Sequence, residues 1–176
     1  MNRWEKFVYK SHPYVFVSLG GICAVLQIVS AVLFFNQNGS SLLGNAGWVV
    51  LWTAGFFGII PIVTFRRKGG VPKGHSYMKT TKLVDTGVYA LVRHPQNGVA
   101  WILINLGIML VAQNWFVVLS GCASMGFGYL DLDLDLLKEE QRCTEKFGDP
   151  YKQYMKRVPR INFVLGIVRW MRRNKQ

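Results

Sequence analysis

The stretch YALVRHPQNGVAW, residues 89–101, sets Arg93, His94 and Pro95 in a row at the start of a long apolar run. Pro95 suits the first position of a helix, because the N–H it lacks would find no intrahelical partner there. His94 is then the expected cap, and Gln96, Asn97 and Gly98 the first turn. Free N–H groups in such a turn, with an arginine and a histidine beside them, suit an anion. The plainer alternative is that Arg93 touches lipid phosphate and His94 only caps the helix.

A second stretch, LLKEEQRCTEKF at residues 136–147, carries the opposite charge inward. In a helix Leu136, Cys143 and Phe147 share one face, and Glu140 completes that stripe. A helix reaching back to Asp133 adds that residue to the same face, with Glu139 on its shoulder. A carboxylate on an apolar stripe is costly unless a cation pairs with it, and Arg157 and Arg160 lie close downstream as structural partners. One segment thus offers an anion site and the other inward carboxylates. S-adenosylmethionine carries a carboxylate, an ammonium and a sulfonium within a few bonds and matches that pairing. An amino acid or a zwitterionic lipid head group matches it too.

The elements that must position these residues are apolar. Of 176 residues, 51% are hydrophobic and 17% charged, and the apolar ones are gathered into runs. Tyr14 to Phe35 and Gly47 to Phe65 are each long enough to cross a hydrocarbon core of about 30 Å. The first run exceeds the apolar core of an ordinary signal peptide. Gly98 to Leu130 is too long for one crossing, and Gln113-Asn114 beside Trp115 divides it into a hairpin. The expected fold is a single domain, residues 1–176, of an all-α integral membrane protein. It has about four transmembrane helices, the last two a helical hairpin, plus cytoplasmic amphipathic helices.

With four spans every lysine and arginine falls on one side. Arg3, Lys6 and Lys10 precede the first span, seven basic residues from Arg66 to Arg93 separate the second from the third, and eleven follow Asp131. The positive-inside rule makes that side cytoplasmic and places both termini there, in the cell membrane or, for a eukaryote, the endoplasmic reticulum. The net charge of +12 therefore borders membrane spans and does not call for nucleic acid. Cys23 and Cys122 lie in spans and Cys143 outside them, so neither a disulfide framework nor a metal site is expected. The spans hold essentially no ionisable group, which argues against a proton-coupled exporter or a channel. Function is expected at the inner membrane surface. In INFVLGIVRWMRR, residues 161–173, Asn162 can cap a helix with Arg169, Arg172 and Arg173 opposite Phe163, Ile167 and Trp170, an interfacial anchor.

LVDTGVYALVRHP from Leu83, the apolar hairpin, and KEEQRCTEKFGDPYKQYMKRVPR from Lys138 together resemble the membrane methyltransferases of the isoprenylcysteine carboxyl methyltransferase and phospholipid methyltransferase superfamily. The likeness covers residues 83–160. It implies methyl transfer from S-adenosylmethionine to a lipophilic or prenylated acceptor, an isoprenylcysteine-like carboxylate or a lipid head group, reached from the bilayer. By the same resemblance His94, Gln96 and Asn97 contact the cofactor, Leu83, Val84 and Tyr89 frame its pocket, and Glu139 and Glu140 are the paired glutamates. Phe147, Gly148, Tyr151 and Tyr154 close the site, while Glu140 and Arg157 stand nearest the chemistry. Asn97 occupies a position where the family usually has tyrosine. An amine acceptor would need a base, for which Asp131, Asp133 or a glutamate would serve. Two other readings are an inactive membrane adaptor of the same fold and an NADPH-dependent reductase of the sterol-reductase kind.

Overall fold

The computed structural model describes residues 15–76 and 79–173, without the side chains of 131–134. Arg3, Lys6, Lys10 and Tyr14 lie outside the described residues, as do the side chains of Asp131 and Asp133. Among the described residues six α-helices follow in order: α1 (Val15–Leu33), α2 (Ser41–Lys68), α3 (Trp101–Ala112), α4 (Trp115–Phe147), α5 (Asp149–Arg157) and α6 (Phe163–Arg173). A 3-10 turn, Gly87–Ala90, lies between α2 and α3, and a wide π-type turn, Pro95–Ala100, runs directly into α3. There is no strand among the described residues. Among the described residues four helical segments are long and apolar enough to cross a membrane: α1, α2, Pro95–Ala112 and α4.

The hairpin turns where the sequence predicts. Gln113 adopts a left-handed φ of 48°, and Asn114 Oδ1 accepts the Phe116 N–H at 2.9 Å to cap α4. The Gln113 amide closes on Ser40 in both directions, accepting from its N–H at 2.7 Å and donating to its carbonyl at 2.8 Å. Asn36 Nδ2 donates to the Gln113 carbonyl at 3.2 Å. α4 continues well beyond Leu130, the expected end of the span. Its apolar part is Trp115 to Leu130, and the rest is a polar extension ending at Gly148, where a φ of 62° breaks the helix and Pro150 lies in the first turn of α5.

The chain divides into two compact units. The first comprises the described residues of Met1–Ala54 and Trp101–Lys138. Within it Gln27 of α1 is buried and donates through Nε2 to the Asn105 carbonyl of α3 at 2.9 Å. Asn105 Nδ2 in turn donates to the Trp101 carbonyl at 2.8 Å. A Cβ at Gly121 of α4 would collide with the Gln27 amide and Met109, so glycine there permits the close approach.

The second unit comprises the described residues of Gly55–Ala100 and Glu139–Gln176. One core cluster in it is Tyr151, Tyr154 and Val158, packed against Leu83, Cys143, Phe147 and Met155. The Phe65 ring stacks on Tyr89 with centroids 4.5 Å apart, and Phe57 meets Phe163 at 5.5 Å. α6 is capped as its sequence predicts: Asn162 Oδ1 accepts the Leu165 N–H at 2.9 Å.

Candidate functional site

The irregular segment Leu91 to His94 is fixed by backbone pairing. The Arg93 N–H donates to the Pro159 carbonyl and the His94 N–H to the Arg160 carbonyl, each at 3.0 Å. This pairing aligns two arginines and a histidine beside the last turns of α4, which carry Glu139 and Glu140. The stripe reading of α4 holds in its burial: Leu136 and Glu140 are buried, Cys143 and Phe147 half-buried.

Glu140 is the centre of the cluster. Its Oε2 accepts from Arg160 NH2 at 2.8 Å, and its Oε1 accepts from Arg160 Nε at 3.1 Å, a two-pronged guanidinium–carboxylate pair. His94 Nε2 lies 3.2 Å from Oε1, and Arg93 NH1 lies 3.0 Å from the same oxygen. The Arg93 contact is an ion pair without the alignment of a hydrogen bond. On the other side of the imidazole, His94 Nδ1 lies 3.4 Å from Glu139 Oε2, whose side chain is half exposed.

These contacts set the charge states. Burial works against charge on His94, but its bonds to Glu139 and Glu140 and their negative charge outweigh burial and raise its pKa above the usual value. Burial likewise works against the Glu140 carboxylate, yet His94, Arg160 and Arg93 hold its pKa down at about 2. Arg93, Arg160 and His94 thus face two carboxylates. Arg93 Nε is buried with no acceptor. A buried guanidinium N–H without a partner is costly, and an incoming anion would satisfy it.

Other residues singled out by the sequence are distributed unevenly. Tyr89 is buried, and its carbonyl accepts the Tyr154 hydroxyl at 2.8 Å; Leu83 packs on the Tyr151, Tyr154 and Val158 core, and Val84 is buried. Gln96 is half-buried, whereas Asn97 is exposed and takes no part in the buried cluster. His94 stands where expected, immediately before the first turn, but that turn is π-type instead of α-helical. The His94 carbonyl accepts the Gly98 N–H at 3.2 Å, and its ring, engaged by two carboxylates, is not available as a cap. Arg157 is not a partner of Glu140: its guanidinium lies 3.5 Å from Asp85 Oδ2, and both side chains are about half exposed.

Arg93 was legible only as a donor beside the helix start and Arg160 only as a structural partner, while Asp85 gave no signal. What selects Arg160 over Arg157 is the backbone pairing of residues 93–94 with 159–160, which local spacing does not carry. Comparison with known families, with curated protein sequences and with solved structures finds no match.

Proposed function

We propose that the chain is an integral membrane methyltransferase that uses S-adenosylmethionine and a lipophilic acceptor, with its site at the cytoplasmic surface. The observation that carries the reading is the meeting of His94 with Glu139 and Glu140. These residues belong to the two separate stretches of the resemblance, and His94 and Glu140 are 46 positions apart in sequence. The four membrane-length helices and the one-sided distribution of lysine and arginine support the placement.

The residues fit the cofactor's charges. The unpartnered Arg93 Nε suits its carboxylate, and half-exposed Glu139 suits its ammonium. Bound S-adenosylmethionine would supply an electrophilic methyl group for an acceptor lone pair, with sulfur keeping the electrons of the broken carbon–sulfur bond. The chain's part is to orient: Glu140 locks Arg93, His94 and Arg160 in place. A carboxylate acceptor needs no proton moved, whereas an amine must lose one to a nearby carboxylate.

A specific observation favours one other reading. Glu140 is already satisfied by Arg93, His94 and Arg160, as a purely structural ion cluster in an inactive adaptor would be. The deciding experiment follows tritium from the cofactor's methyl group into organic-extractable product, using membranes containing the full chain with prenylcysteine and phospholipid acceptors. The methyltransferase reading predicts incorporation that His94→Ala abolishes. Incorporation no greater than in membranes lacking the chain, for both acceptors, contradicts it.

A further inference from the structure

α6 has no part in the proposed chemistry, yet its surface is unusual. Val164, Ile167, Trp170 and Met171 are exposed on it, together with Arg169 and Arg172. The helix is held to its own unit along one edge. A Cβ at Gly166 would run into the Leu91 carbonyl, and the Arg173 guanidinium donates to the carbonyls of Arg157 at 2.9 Å and Ala90 at 3.1 Å. Its first residue, Phe163, packs on Phe57, and its last, Arg173, reaches Ala90 next to Tyr89, which stacks on Phe65. Phe57 and Phe65 are about 12 Å apart along α2, close to the length of α6 itself, about 15 Å. α6 therefore runs beside the closing turns of α2, and its arginine-rich end coincides with Arg66, Arg67 and Lys68 at the end of α2.

We infer that the exposed face of α6 seats on an anionic phospholipid bilayer, with Val164, Ile167, Trp170 and Met171 among the acyl chains and Arg169 and Arg172 at the phosphates. Phe56, Ile59 and Val63 of α2 are exposed as well, so both elements demand apolar surroundings. Charge selects the bilayer over a second copy of the chain. A second copy would bring the same arginines against each other, whereas anionic head groups complement them. The inference rests on the membrane reading of the four helices and not on methyl transfer.

The test uses the full chain with Cys23, Cys122 and Cys143 replaced by serine, in nanodiscs of phosphatidylcholine alone or mixed in equal parts with phosphatidylglycerol, the acyl chains brominated. A bimane label is placed through Trp170→Cys or, in the exposed surface of α2, through Trp52→Cys. Both labels should be quenched. The pair Arg169→Glu and Arg172→Glu should cut quenching at 170 by about twofold or more in the phosphatidylglycerol discs and leave it unchanged at 52. An unquenched label at 52 overturns the membrane reading itself. Quenching at 52 but not at 170, or disulfide linkage of two copies through Trp170→Cys, overturns the seating of α6 alone. Undiminished quenching at 170 in the charge-reversed protein removes the head-group contact and overturns the anionic preference.

Discussion

The two units bury polar groups in contrasting ways. In the first, the buried Gln27 and Asn105 are neutral, and their amides donate to backbone carbonyls of α3. The second buries a carboxylate among two guanidinium groups and an imidazole. Neutral amides join helices at modest cost, do not titrate, and leave only neutral atoms unmatched, such as Asn105 Oδ1 and Ser124 Oγ. An ionic cluster is far costlier to break, responds to pH, and here keeps an unmatched cationic donor, Arg93 Nε. The first arrangement suits a scaffold and the second a binding site.

The contrast is broken most severely at Glu140. Glu140→Gln leaves Arg93, His94 and Arg160 without their shared counter-charge, and a loss of about 3 to 5 kcal/mol is expected in denaturant unfolding of the detergent-solubilised protein. A loss below about 1 kcal/mol would mean that the cluster is solvated and unlike a buried ion pair. Gly166→Ala should come next, at about 1 to 3 kcal/mol, because the new Cβ meets the Leu91 backbone instead of a side chain that can swing aside. Thermal unfolding at unchanged midpoint would show that α6 is not held there. Gln27→Leu should cost only about 0.6 to 1.7 kcal/mol, the range of interhelical hydrogen bonds between apolar helices. If it equals the Glu140 effect, the distinction between the units fails.

pH sharpens the same comparison with the smallest effect. The raised pKa of His94 contributes stability that is fully present below about 6.5 and is lost as pH rises through the folded value. Glu140, depressed from 4.5 to about 2, contributes stability present above 4.5 and lost as pH falls toward 2. The cluster's combined contribution is greatest between those limits. Hydrogen exchange should slow in that window around residues 91–94 and 139–160 and stay level in α1 and α3. His94→Gln should remove the alkaline dependence, and its persistence would assign that titration to another group.

Much of this arrangement is legible locally. Gln113-Asn114 marks the hairpin because polar residues interrupt an apolar run, Asn162 marks the α6 cap, and the inward position of Glu140 follows from helical spacing with Leu136, Cys143 and Phe147. The remainder depends on contacts distant in sequence. Backbone pairing of 93–94 with 159–160 decides which arginine meets Glu140. The π-type turn shifts the side chains after Pro95 out of α-helical phase, and Asn97, expected toward the cofactor, is exposed instead.

Titration calorimetry with S-adenosylhomocysteine on the detergent-purified full chain tests the cofactor site most directly. Saturable binding to one site per chain is predicted, weakened about tenfold or more by Arg93→Met, as expected for a lost charge-assisted contact of about 1.5 to 3 kcal/mol. Absence of binding to the unaltered protein, or equal affinity after Arg93→Met, would contradict the assignment of the Arg93, His94 and Glu140 cluster to S-adenosylmethionine.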